Sequence, residues 1–461
     1  MPNFQDNGQA AWNQYHKGLL SLLGGAEQGP TVVQPLAIAQ RVEWDTNSPE
    51  YNLFLKQDIA EAVPSWTPLY TRSMGRTVPD EYLAFLDELN SKLIHTSAVN
   101  TSVLQHLNLE RKAVRDSLEA LSREANNRWK LYLKETPAPL VSTRAKWEED
   151  MGISGQRKNY QEQLAAAEGA YLLEANNVGG DVKEVGRAII ALGSAIQQVP
   201  LPSSPEEIQL GKDYWSYYYR ASLDGDIFQF KNEASPLSIT MNDLAQQSTS
   251  FSSKWNASAS VGWCCFFSAS GKIEDEVQST KWKQQTSEVI VNFKNIKPFN
   301  IIRGQWYKPG LITRFLDRLP ASFWSESGRL NLIPTQLIVA HGLSIDITTT
   351  DEVRDYFYHR HSVGGGGGFS IGPFSLGGGG SSTSTYSETN VVKTATGLHI
   401  EDTSGRAVVL AVISTRPQDL LHTSSTPMFL TLDKAEKTKA TAQWKEAMAE
   451  VEEPALAMTL R

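Results

Sequence analysis

The pentad Gly368-Phe369-Ser370-Ile371-Gly372 has the Gly-x-Ser-x-Gly spacing of a nucleophile elbow. That device exposes a serine on a turn between an entering strand and a leaving helix. Here five glycines lead in, Pro373 follows, and four more glycines come after. Glycine and proline are the poorest helix formers, so no helix is expected there and Ser370 is not expected to be a nucleophile. The same tracts lack both the spaced Gly-x-Gly-x-x-Gly and a Lys-Ser/Thr, so they are no phosphate cradle. His359 and His361 stand two apart and would share one side of a strand, where His341 or His399 could complete a metal site. Asp355 is the one carboxylate near them, and paired histidines on an exposed strand are more often simply solvated. Cys264 and Cys265 are neighbours, too close along the chain to bridge, and Trp263 and Phe266 give the thiols an apolar setting that keeps them inert. Glu274, Asp275 and Glu276 read as a solvated run. Trp215, Tyr217, Tyr218 and Tyr219 could form a ligand platform, but such residues are more often the core face and wet edge of a strand. No catalytic residue, metal or cofactor is expected.

The strongest signal is instead an alternation between Ser248 and Gln278. One parity carries Phe251, Trp255, Ala257, Ala259, Val261, Trp263, Cys265 and Phe267; the other carries mostly serines with Lys254 and Asn256. Successive side chains of a strand point to opposite faces, so the run predicts an amphipathic β segment. An ordinary strand needs only about 5–6 residues, so the run must turn back as a hairpin or project from its sheet. A second segment has a similar layout. Gly364–Gly368 precede Phe369 to Leu376, and Gly377–Gly380 follow, with polar arms at 356–362 and 381–389. The apolar parity changes across Gly372–Pro373, which predicts a tight turn there.

Stepping outward, Ser48 and Pro49 are placed to start a helix, and Pro79–Asp80 to start another with Leu83, Leu86, Leu89 and Leu93 inward. Leu104, Leu107, Val114, Leu118, Leu121, Ala125 and Tyr132 recur at three- and four-residue steps. After Pro137, Pro139, Gly152 and Gly155 the spacing resumes from Tyr160 to Val199. This predicts two long helices, over 104–132 and 160–199, packed antiparallel, with Gly179–Gly180 as a break in the second. Pro200, Pro202 and Pro205 end the helical part. Strands are expected at 214–223, 288–293, 301–307, 337–347, 391–400 and 407–413, with antiparallel pairing because no crossover helices separate them. A charged helix is expected over 433–452.

The 461 residues are 40% hydrophobic and 20% charged, which supports a sizeable core and not wholesale disorder. A formal net charge of −8 argues against a nucleic-acid partner, since such domains carry a basic excess. The polar N-terminus has no secretory signal, and the longest clean apolar run, Ala407–Ile413, is too short to span a bilayer as a helix. The expectation is a chain cytoplasmic as synthesised.

These readings combine into an α+β fold. A mixed segment (1–79) precedes a helical hairpin region (80–200), a mostly antiparallel β domain with two extended Ser/Gly-rich hairpins (201–430), and a C-terminal helix and tail (431–461). The patterning resembles that of β-barrel pore formers, soluble proteins that insert Ser/Thr-rich amphipathic hairpins into membranes after oligomerising. That resemblance implies a non-enzymatic, membrane-interacting protein whose partner is a lipid membrane or further copies of itself. The contact residues would be Trp255, Val261, Trp263, Phe266, Phe267, Phe369, Ile371, Phe374 and Leu376. The alternative is a soluble, self-assembling protein whose hairpins mediate subunit contacts.

Overall fold

The computed structural model of the chain describes residues 5–22, 31–42, 59–96, 102–137, 140–195, 197–200, 215–218, 222–223, 235–242, 266–269, 285–303, 306–319, 323–325, 327–362, 369–376, 385–386 and 388–417. The helices expected from Ser48 and over 433–452 fall largely or wholly outside them, as do Cys264, Cys265 and the run Glu274–Glu276.

The fold is α+β with a curled, mostly antiparallel sheet. Its centre is a pair of long strands, β9 (Glu288–Ile302) and β10 (Ile333–Thr348), in register from Glu288↔Thr348 to Asn300↔Gln336. The far edge of β10 forks. Its first half pairs with β16 (Ala407–Thr415) and its second half with β15 (Gly397–Asp402). Gly342 lies at the fork with φ +68°, a left-handed conformation that glycine adopts without a Cβ clash. Beyond β16 lies β1 (Thr31–Val42), and beyond β15 lies β14 (Thr389–Lys393). The outer edge of β9 takes β7 (Leu237–Asn242) and the short β6 (Ser222–Leu223).

The sequence broke β9 into two strands, 288–293 and 301–307. The polar residues Asn295 and Lys297 with Pro298 interrupt the apolar pattern, yet the ladder to β10 runs through them. Trp306 and Tyr307 leave the sheet and pack with the helices. Strand β16 shows why its sequence is continuously apolar. Val408, Leu410, Ala411 and Ile413 lie in one core and Ala407, Val409 and Val412 in another, so both faces are covered.

The helical part starts at α2 (Val78–Thr96), where Thr77 Oγ1 accepts from the Asp80 N–H (3.2 Å), an N-terminal cap. Tyr82, Phe85, Leu86, Leu89 and Leu93 form its buried face. Next come α3 (Ser102–Glu135), the short α4 (Arg144–Asp150) and α5 (Ile153–Val178). Helices α3 and α5 run antiparallel: Leu104 shares a core with Tyr171 and Ala175, while Ala125 and Trp129 share another with Ile153. The second helix differs from the expected 160–199 span. It begins earlier, at Ile153, and stops where Gly179 takes φ +77°, ψ −164°. A separate α6 (Gly180–Ala195) then packs against both α5 and α2, and 197–200 form a strand, β4, paired with β5 (Trp215–Tyr218).

Candidate functional site

The two segments singled out by alternation meet in one small sheet. Strands β11 (Phe369–Ile371) and β12 (Phe374–Leu376) form a hairpin with Phe369↔Leu376 and Ile371↔Phe374 opposed. The turn between them is Gly372–Pro373, as the parity change predicted. Gly372 has φ +54°, and its N–H donates to the Phe266 carbonyl (2.6 Å). The Pro373 carbonyl accepts from the Ala39 N–H of β1 (2.8 Å), tying the turn to the large sheet. On its other side β11 pairs with β8 (Phe267–Ala269), which belongs to the first segment: Phe267 opposes Ile371, and Ser268 opposes Ser370. The register thus aligns Ser268, Ser370 and Ser375 in one row, and Phe267, Ile371 and Phe374 in the next. Strand β13 (Thr385–Tyr386) adds to β12 in parallel.

Aromatic contacts join this small sheet to helix α1 (Gln5–Ser21). Phe266 meets Trp12 edge to face at 5.2 Å between ring centroids, and Phe374 meets Tyr15 at 6.2 Å and Phe293 of β9 at 6.1 Å. The Tyr15 hydroxyl is buried with no hydrogen-bond partner among the described residues, and burial pushes its phenol far above the ordinary value. Gly18 sits so close to Ile239 of β7 that a Cβ there would fall 2.6 Å from Ile239 Cγ2, so α1 lies tightly on the sheet.

Of the nine residues expected to contact lipid or a second subunit, Phe266, Ile371, Phe374 and Leu376 are buried in the principal core. In this conformation they pack in the chain's own core, together with residues of α1 and β9. An amphipathic segment satisfies its apolar face equally well against its own core. Phe267 and Phe369 lie on the two paired strands. Trp255, Val261 and Trp263 lie outside the described residues.

The remaining chemistry is rearranged by the fold. Ser370 stands on a strand that turns into another strand, not a helix, so the elbow geometry is absent. His359 and His361 lie on helix α8 (Asp351–Ser362), not on a strand. Positions two apart on a helix are separated by roughly 200° of rotation, so the strand geometry that would pair them is absent. Val353 and Phe357, four apart, are the buried pair that the helix presents to the core, and Asp351 and Glu352 suit its first turn. Among the described residues no group of three or more His, Cys, Asp or Glu is placed to hold a metal.

Four polar constellations were not legible in the sequence. Ser238 Oγ donates to Asn292 Oδ1 (2.6 Å), Asn292 Nδ2 to Asp346 Oδ2 (3.0 Å), and His399 Nδ1 lies 2.6 Å from Asp346 Oδ1, a row crossing four strands of the polar face. Such a pair can fix an imidazole, but no hydroxyl or thiol among the described residues bonds the ring. Between the sheet and the helices, Arg303 donates to the carbonyls of Pro334 (2.8 Å) and Ala60 (2.9 Å), and its Nε lies 3.7 Å from Glu61 Oε2. Burial pushes the Glu61 carboxyl up, against the pull of Arg303, and pushes the neighbouring Tyr307 phenol up to about 12. In the helical core Asp87 takes Arg111 (2.8 Å) and Arg115 (2.9 Å), while Tyr171 donates to Asn90 Oδ1 (2.6 Å). At the far end of the helical hairpin Glu148 accepts from both Arg144 (2.7 Å) and Arg157. Each of these depends on residues brought together from separate elements. The only local signal is the Arg144–Glu148 spacing of four.

The arrangement is thus a docked amphipathic sheet with an aromatic cover. No family model, curated protein or solved structure matches the chain.

Proposed function

We propose that this chain is a membrane-interacting protein of the pore-forming type, which keeps two amphipathic β segments docked on its own core and delivers them to a bilayer after oligomerising. The observation that carries this reading is the β8–β11 pairing, which joins the apolar centres of segments 248–278 and 369–376 in one sheet. An apolar sheet face needs cover in water, and α1 supplies it; lipid can supply the same cover. Exposing a large apolar side chain to water costs roughly 1.5–3 kcal/mol, so Phe266, Ile371, Phe374 and Leu376 hold the docked state until lipid or a second copy replaces the core. The arm 248–261 has the length of a transmembrane strand, about 9–11 alternating residues. The action is insertion and needs no catalytic step.

A self-assembling protein without membrane activity is the second reading. It is favoured by one feature: among the described residues β8 has β11 as its sole strand neighbour, leaving an edge on which another chain can add.

The test is release of an entrapped dye from liposomes by the purified protein, with sedimentation to follow assembly. Dye release accompanied by assembly supports insertion. Assembly without release, across neutral and anionic lipids, replaces it with the second reading.

A further inference from the structure

The helical hairpin extends beyond the helical core as an arm with a core of its own. Its distal cluster is Ala125, Trp129, Trp147 and Ile153, with Leu121, Tyr132, Leu133 and Val141 packed against it, all from the arm itself. At 34 residues α3 is about 50 Å long. The end is rigidly built. Trp129 stacks on Tyr132 (5.2 Å) and tilts against Trp147 (5.2 Å), and the Arg144 guanidinium lies over both indoles. Glu148 holds Arg144 and Arg157 together, leaving one net positive charge buried there.

The outside of this end combines exposed apolar side chains with a basic balance. Leu131, Leu140 and Met151 are 53%, 70% and 42% exposed, on the last turns of α3, in the connecting loop and just after α4. The local charge is positive. Residues 126–137 and 140–158 hold seven Arg and Lys against four Asp and Glu, a net of +3 in a chain of −8. Arg128, Lys130, Lys134, Lys146 and Lys158 are exposed, against Glu135, Glu149 and Asp150.

We propose that the tip of this arm docks on anionic lipid headgroups, with Leu131, Leu140 and Met151 entering the interfacial layer. The proposal rests on the reading of the chain as membrane-interacting and names its first contact. Exposed Leu and Met in a tip of net positive charge is the chemistry of an interfacial anchor. Anionic lipid attracts the basic tip and repels the acidic remainder of the chain, so approach is oriented tip first.

The test uses the full chain and co-sedimentation with two vesicle types, phosphatidylcholine alone and phosphatidylcholine with one-third phosphatidylserine. Binding should be about ten-fold or more stronger to the second and should weaken as salt shortens the screening length. The variant Leu131→Ser/Leu140→Ser/Met151→Ser should lose that binding with an unchanged melting temperature, because all three side chains are exposed. The variant Lys130→Glu/Lys134→Glu/Lys146→Glu should lose the phosphatidylserine preference and serves as a second, independent reading. Equal binding to both vesicles, no binding, or binding unmoved by either variant overturns the proposal. Self-association of the wild type that vanishes in the triple serine variant, without vesicle binding, overturns it in favour of a second copy as occupant. Dye release on the same vesicles separates this from the insertion reading. Binding without release keeps the tip and sinks insertion; release unchanged in both tip variants keeps insertion and sinks the tip.

Discussion

Trp12 and Phe266 meet edge to face, with 5.2 Å between ring centroids and 85° between planes. This contact joins the helix nearest the N-terminus to the segment with the longest amphipathic alternation. It places α1 as the cover over the docked sheet, so α1 must move before the sheet can present its apolar face elsewhere.

Trp12→Ala should therefore lower stability by about 3–5 kcal/mol, the usual cost of removing a buried indole. Thermal melting measures that loss. If the docked sheet is the inserting element, dye release from liposomes should start at a lower temperature than for the wild type. A lowered melting temperature with an unshifted onset of release would separate α1 from insertion.

Gly372→Ala should destabilise through two additive effects. The backbone there is left-handed, which costs a non-glycine residue about 1–2 kcal/mol. The new Cβ would also lie 2.8 Å from Phe266 Cε2, and overpacking of this kind costs about 1–3 kcal/mol. Chemical denaturation of the variant should show a combined loss near the sum. A loss under about 1 kcal/mol would mean that the turn does not hold Phe266 in place.

Charge placed on the two kinds of apolar position should move different quantities. Phe374→Asp buries an unpaired carboxylate in the principal core and should unfold the chain or sharply lower its melting temperature. Val261→Asp is expected to leave melting unchanged while abolishing dye release or assembly. If Val261→Asp lowers melting as Phe374→Asp does, the alternation around it is ordinary core patterning.

Acid should loosen the helical part. Burial raises the Asp87 carboxyl, but Arg111 and Arg115 outweigh it and hold Asp87 below the ordinary 3.8. Glu148 follows the same pattern, with Arg157 and Arg144 holding it below 4.5. A depressed folded value means the unfolded chain takes up protons first. The stability these groups contribute is full above their ordinary values and is lost as pH falls through the folded ones. Far-ultraviolet circular dichroism should show the helical melting temperature dropping below about pH 4. Asp87→Asn should flatten that drop while costing about 3–5 kcal/mol at neutral pH, because it leaves Arg111 buried without its counter-charge. Glu61 acts in the opposite sense: burial holds its carboxyl above 4.5, so its contribution declines as pH rises from there. An acid limb identical in wild type and Asp87→Asn would remove Asp87 from the account.

The sequence alone determined the elements whose signal is local. The three- and four-residue spacing from Leu104 to Tyr132 is a single helix because each side chain on that face finds its neighbour within one turn. The Gly372–Pro373 turn was legible because a parity change and a glycine are both local events. The α+β class followed from the switch of period near residue 200. Tertiary structure decided what those elements meet. The alternation around Phe266 is the same for a strand facing lipid, a second subunit or its own core, and only the contacts with Trp12 and Tyr15 set Phe266 in its own core here. Asn295 to Pro298 read as a break until the ladder to β10 carried them through. His359 and His361 read as a strand pair until Val353 and Phe357 were buried four apart. Asp87 with Arg111, Glu61 with Arg303, and Ser238 through to His399 are pairs with no spacing signature, because the distance that matters between them is closed by packing and not by the chain.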